Sequence, residues 1–187
     1  MDEQLNLDGD LWVFAYGSLM WKPGFEFVES RRARLDGYRR GFCMWSIHHR
    51  GSVEDPGLVL ALDPDANASC EGIALRVGSH ARVEVLTYLR ERELISSAYL
   101  ERFETVVLED GAAVEAVAYV MDPSHEQYTG ALSLETQAEV IARSVGGMGP
   151  NDEYLFATLT QLNKMGCPDP EMEEIARLVR ATNRAET

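Results

Sequence analysis

At Ser133 the spacing of apolar residues changes, and that change constrains the fold more than any other feature of the chain. Before it, apolar residues form short runs or alternate with a period of two, as strands require. After it they recur with a period near 3.6, as helices require. The run Leu11, Trp12, Val13, Phe14, Ala15 and Tyr16 is rich in β formers and ends on Gly17 and Ser18, so a buried strand should enter a tight turn. Residues 34–45, 58–62, 72–77, 104–108 and 113–121 read as further strands, divided by clusters such as Glu54, Asp55, Pro56 and Gly57.

Beyond Ser133, Leu134, Ala138, Ile141 and Val145 share one helical stripe, and Leu155, Leu159 and Leu162 share another after the glycine-rich break at 146–150. A third helix should begin where Asp169 caps Pro170, run through Met172, Ile175, Ala176 and Val179, and fray from Thr182 onward. No internal repeat or long linker divides the sequence. Strands first and helices last predict one α+β domain over residues 1–187.

Charge narrows the function classes. Lys and Arg number 17 against 31 Asp and Glu, a formal net charge of −14, which disfavours nucleic acid and anionic membrane surfaces as partners. The acidic start, with no basic segment followed by an apolar one, and the absence of a spanning apolar run of about 18 residues predict a soluble cytoplasmic protein. Cys43, Cys70 and Cys167 fit neither a disulfide framework nor zinc-ligand spacing. His48 and His49 are adjacent, so their side chains diverge, and no metal site is expected.

Residues 80–94 have the periodicity of a helix, with Ser79 a candidate cap. Val83, Leu86 and Leu89 mark an apolar stripe, and four residues further along it stands Glu93; Glu84, Thr87 and Glu91 mark the polar side. A carboxyl on the core side is desolvated, which raises its pKa and suits it to move protons near neutral pH. On helix phase alone, the favoured reading is that Glu93 splays to solvent or pairs with Arg90 or Arg92.

The loop Tyr16, Gly17, Ser18, Leu19 and Met20 follows a buried strand. Glycine there permits successive amides to face one concavity and hold an anion such as a carboxylate; a plain β-turn is the alternative. P-loop, dinucleotide-binding and serine-hydrolase glycine motifs are absent.

Phe14 to Trp21, the stretch Tyr88 to Leu94 followed by Tyr99, and Gly149 to Leu155 together resemble the ChaC-like γ-glutamylcyclotransferases specific for glutathione, a likeness that spans almost the whole chain. Gly37 to Arg40, Ser46 to Gly51 and Tyr128 to Gly130 support it. The resemblance implies a small mixed β-barrel with surrounding helices and a helical C-terminal part. It puts the catalytic glutamate on Glu93 and the substrate loop on Ala15, Tyr16, Gly17, Ser18, Leu19 and Met20. The chain departs from its relatives at Ser96, Ser97 and Ala98, where a glycine-rich step is common, and at Glu71, where an aromatic is common.

By that resemblance the substrate is glutathione, cyclised to 5-oxoproline with release of cysteinylglycine and without a cofactor. The alternatives are a cyclotransferase for another γ-glutamyl amide or amine, and a non-catalytic γ-glutamyl-binding regulator. The oxyanion donor is left between the Gly17 to Leu19 amides and a tyrosine hydroxyl such as that of Tyr128; Tyr99, Tyr128 and Tyr154 could each line the pocket or pack. Residues 31–50 carry a local net charge of +5; one reading is solvated strand positions paired with the surplus acids, the other a guanidinium holding a substrate carboxylate, with Arg50 the first candidate and the arginine-rich stretch then near the pocket mouth.

Overall fold

The computed structural model describes residues 9–185. Strand β1 (Leu11–Ala15) is followed by a single 3₁₀ turn (Ser18–Met20), then β2 (Glu29–Ser46) and β3 (Gly57–Val77). A second 3₁₀ turn (Ser79–Ala81) leads into α1 (Arg82–Glu93), and the hairpin of β4 (Tyr99–Leu108) and β5 (Ala113–Met121) completes the sheet. Helix α2 (Leu134–Arg143), the two-residue strands β6 (Val145–Gly146) and β7 (Gly149–Pro150), α3 (Asn151–Met165) and α4 (Pro170–Ala185) follow.

The sheet closes into a barrel in the order β1-β3-β2-β4-β5. Closure depends on β1, which pairs antiparallel with β3 and parallel with β5, so the barrel is mixed. Val13, Phe14 and Ala15 are fully buried, which accounts for the near-continuous apolar character of that strand. A barrel has no free edge, and its interior is filled by side chains such as Leu60, Leu75 and Val117.

Three sheet boundaries differ from the sequence reading. Strand β2 begins at Glu29 and β4 at Tyr99, each five residues earlier than expected. Residues 58–62 and 72–77 belong to one strand, not two. Between them β3 carries extra residues: Asp36 pairs with Ser69 and Tyr38 with Pro64, so the ladder breaks and resumes around an irregularity. Asn67 N–H donates to Asp65 Oδ1 at 3.0 Å within it, a local turn that reads in sequence as a strand end.

The helices follow their stripes, with exceptions. Val85, Leu86 and Leu89 form the buried face of α1, whereas Val83 is 67% exposed, so the apolar stripe is displaced from the one drawn through Val83. Ser79 does not cap α1: the 3₁₀ turn intervenes and the cap position falls on Ala81. Val145 lies beyond α2, exposed in β6. Ser133 caps α2 through Thr136 N–H, and Asp169 Oδ1 accepts from Met172 N–H at 3.0 Å at the start of α4. Helix α4 runs through Ala185, so the stretch from Thr182 expected to fray is helical that far. Among the described residues, no helix is long and apolar enough to cross a membrane.

Candidate active site

Glu93 stands one helical turn beyond the fully buried Leu89, so α1 carries it toward the barrel while the neighbouring Glu91 is exposed. Its side chain is 16% exposed, and Arg92 Nε lies 3.1 Å from Glu93 Oε1. Burial raises the Glu93 pKa above that of an ordinary glutamate, and the Arg92 charge opposes the rise. Both sequence-level alternatives are thus partly realised: the acid is inside, and it is paired.

Arg92 ties this helix end to the glycine loop. Its guanidinium donates to the Lys22 carbonyl at 2.7 Å, the Pro23 carbonyl at 3.0 Å, Tyr88 Oη at 3.1 Å and Ser18 Oγ at 3.0 Å. A planar fork of donors can make all these contacts at once, which a lysine could not. The loop is closed on itself by Met20 N–H to the Gly17 carbonyl at 2.9 Å and Lys22 N–H to the Ser18 carbonyl at 2.8 Å. The loop packs closely at Gly17: a Cβ there would lie 3.1 Å from Tyr154 Oη, so the hydroxyl would have to give way by a few tenths of an ångström.

Two connected spaces adjoin Glu93. An inner pocket of about 30 Å³ is walled by Tyr16, Gly17, Ser18, Leu19 and a group of tyrosines. An outer cleft of about 400 Å³ opens between α1, the segment after β2 and the turn joining β6 to β7, with Lys22, Arg50 and Met148 on its walls. Glu93, Ser18, Tyr99 and Tyr154 line both, so the carboxyl stands where the spaces meet.

The tyrosines are fixed by backbone contacts. Tyr16 Oη donates to the Tyr119 carbonyl at 2.8 Å, and Tyr99 Oη to the Leu60 carbonyl at 2.8 Å. Asn151 and Tyr154, three residues apart on α3, reach alternate residues of β3. Asn151 accepts from Leu58 N–H and donates to the Leu58 carbonyl, both at 2.7 Å, and Tyr154 Oη accepts from Leu60 N–H at 3.3 Å. A helical spacing of three and a strand spacing of two are thereby matched, which is the physical content of the segment Gly149 to Leu155.

Of the expected site residues, Tyr16, Gly17, Ser18 and Leu19 converge with Glu93 on the inner pocket, and Arg50 reaches the outer cleft. Ala15 and Met20 are buried in the core and contribute only backbone to the loop. Tyr128 is not brought to either space: its hydroxyl lies 3.1 Å from both oxygens of Asp63, held away by that contact.

Along β2 the arginine-rich stretch follows the reading in which it pairs with acids. Arg31 pairs with Glu29 and Asp110, Arg32 with Glu71, Arg34 with Asp36, Arg39 with Glu171 and Arg40 with Asp169. Those acids stand on β2 itself, on β3, in the β4–β5 turn and around the start of α4, and Arg40 also donates to the Tyr16 carbonyl at 3.4 Å. The cations at the site are Lys22, Arg50 and Arg92. Arg92, Trp21 and Tyr119 were not singled out from sequence. The adjacency of Arg92 to Glu93 was the available signal, and its reach across to the loop was not visible. His48 and His49 do line the cleft; burial, then the charges of His48, Arg92 and Arg50, lowers the His49 pKa.

Residues 11–182 match the family model described as ChaC-like protein. The chain belongs to the ChaC-like family. Among its ChaC-like relatives, the glutathione-specific γ-glutamylcyclotransferase of Escherichia coli K12 is 36% identical over 168 residues, covering 90% of this chain and 72% of that one. Human glutathione-specific γ-glutamylcyclotransferase 1 is 34% identical, covering 93% of this chain and 80% of that one. The ChaC-like fold is shared with the crystal structure of the yeast γ-glutamyl cyclotransferase specific to glutathione, at TM-score 0.83 and 23% identity over 93% of this chain and 97% of that one.

Proposed function

We propose that this ChaC-like protein is a glutathione-specific γ-glutamylcyclotransferase that releases 5-oxoproline and cysteinylglycine, needs no cofactor and acts in the cytoplasm. One observation carries the chemistry: a desolvated carboxyl, Glu93, on the wall shared by a small inner pocket and a larger outer cleft. Three buried free thiols suit a reducing compartment.

The substrate α-amine, in its neutral form, attacks the γ-carbonyl carbon while Glu93 as carboxylate takes one of its protons; a C–N bond closes the five-membered lactam, and the carbonyl electron pair moves to oxygen. Collapse re-forms the carbonyl and breaks the bond to the cysteinyl nitrogen, which takes that proton from Glu93 and leaves as an amine. No water is consumed. A raised pKa serves both transfers, because the same group must be a base during attack and an acid during collapse; such catalysis contributes roughly 10² to 10⁴ in rate. Holding amine and carbonyl about 3–3.5 Å apart supplies much of the remainder.

The γ-glutamyl head binds the loop of residues 15–20 through backbone amides, and the cysteinylglycine portion occupies the outer cleft. Arg50 suits the glycine carboxylate there: its guanidinium is steadied by the Pro150 carbonyl at 3.0 Å and lies 5.7 Å from the centre of the Tyr154 ring. Incubation of the purified protein with glutathione and, separately, with γ-glutamyl dipeptides tests the reading. 5-Oxoproline from glutathione in large excess is the expected result; equal yield from dipeptides contradicts the specificity, and none from any substrate contradicts the activity.

A further inference from the structure

An oxyanion forms when the amine attacks the γ-carbonyl, and a fixed donor must meet it. Four tyrosines wall the inner pocket beside Glu93: Tyr16, Tyr99, Tyr119 and Tyr154. Each hydroxyl has one proton to give. Tyr16 gives its proton to the Tyr119 carbonyl at 2.8 Å, Tyr99 to the Leu60 carbonyl at 2.8 Å, and Tyr119 to Glu101 Oε2 at 3.0 Å. Tyr154 differs: its oxygen accepts from Leu60 N–H at 3.3 Å, and among the described residues it donates to no protein atom.

Resting on the cyclotransferase reading above, we propose that Tyr154 is a further catalytic residue, the hydroxyl that donates to the oxyanion of the tetrahedral intermediate. The Leu60 amide fixes the oxygen and leaves the proton for the pocket. The ring is held edge-on by Trp21 at 5.6 Å and Phe42 at 6.1 Å between centroids, so little reorganisation accompanies the reaction. The oxygen is also the atom that a Cβ at Gly17 would approach to 3.1 Å, which sets the donor directly against the loop that receives the γ-glutamyl head. Tyr154 keeps its proton throughout; only Glu93 transfers one. Burial raises the Tyr154 pKa, in keeping with a group that donates a hydrogen bond without ionising.

The test compares Tyr154→Phe with Tyr99→Phe, since Tyr99 lines the same pocket but its proton is already committed. With wild-type protein producing 5-oxoproline from glutathione, Tyr154→Phe is expected to lower kcat by about 10²-fold at nearly unchanged KM, and Tyr99→Phe, which also faces the site, to cost at least about tenfold less. Because Phe also strands the Leu60 amide, 3-fluorotyrosine at position 154 provides a variant that keeps shape, acceptor and donor; kcat should change with phenol acidity while the melting temperature does not. Wild-type-like kcat in Tyr154→Phe, an equal loss in Tyr99→Phe, or a kcat indifferent to the fluorine overturns the proposal. An inactive wild-type protein overturns the cyclotransferase reading instead.

Discussion

Arg92 Nε lies 3.1 Å from Glu93 Oε1 at the last turn of α1, and the same guanidinium reaches Ser18 Oγ at 3.0 Å in the glycine loop. Glu93 and the glycine loop are therefore registered against each other through one side chain. The pairing also moderates the desolvation of Glu93, whose pKa is raised by burial and pulled back by the arginine.

Arg92→Met should separate these two effects. Loss of the loop contacts is expected to lower kcat/KM on the order of 10-fold or more through misplacement, and loss of the charge should move the acid limb of the pH–rate profile to higher pH. Arg92→Lys should retain the position of that limb but still raise KM, because an ammonium cannot replace the fork of donors. Steady-state kinetics across pH checks both.

In wild-type protein the rate should rise with pH through a value above the ordinary 4.5 of a glutamate, since the base must be ionised. Folding stability follows the opposite course. The fold favours protonated Glu93, so its stabilising contribution is complete below about 4.5 and is lost as pH rises through the raised value. Glu93→Gln should therefore gain stability relative to wild type across that interval, seen as a melting-temperature difference that grows with pH.

Asn151→Leu should cost about 3 kcal/mol in urea unfolding. The fully buried amide satisfies both Leu58 N–H and the Leu58 carbonyl, and leucine leaves each unpaired. The same substitution should lower activity, because α3 positions Tyr154.

Ser97→Gly should raise stability by about 0.5–1 kcal/mol, read from the shift in urea midpoint at unchanged slope. Ser97 holds φ at 58° in the turn after α1, a left-handed conformation that costs a residue with a Cβ.

These sites also mark how far sequence reasoning reached. Leu89 and Glu93 share a helix face by spacing alone, and β1 followed by Gly17 was legible from composition and period; the α+β division followed from the change at Ser133. The contact of the Tyr128 hydroxyl with Asp63 of β3 is long-range and has no local signature in the sequence. That the cations of β2 meet the surplus acids was legible as one of two readings, but which acids was not, because a strand's partners lie far off in sequence, up to 132 residues for Arg39 and Glu171. The irregularity at Asp65 to Ala68 hid the continuity of β3, since a turn inside a ladder and a turn between strands use the same residues.

The most direct test of the account is 5-oxoproline production from glutathione by purified wild-type protein and by Glu93→Gln, with Glu91→Gln as the neighbouring control. Wild type and Glu91→Gln should turn over alike, and Glu93→Gln should fold yet lose at least about 10²-fold in kcat. Near-wild-type turnover by folded Glu93→Gln would contradict the assignment of Glu93 as the proton shuttle.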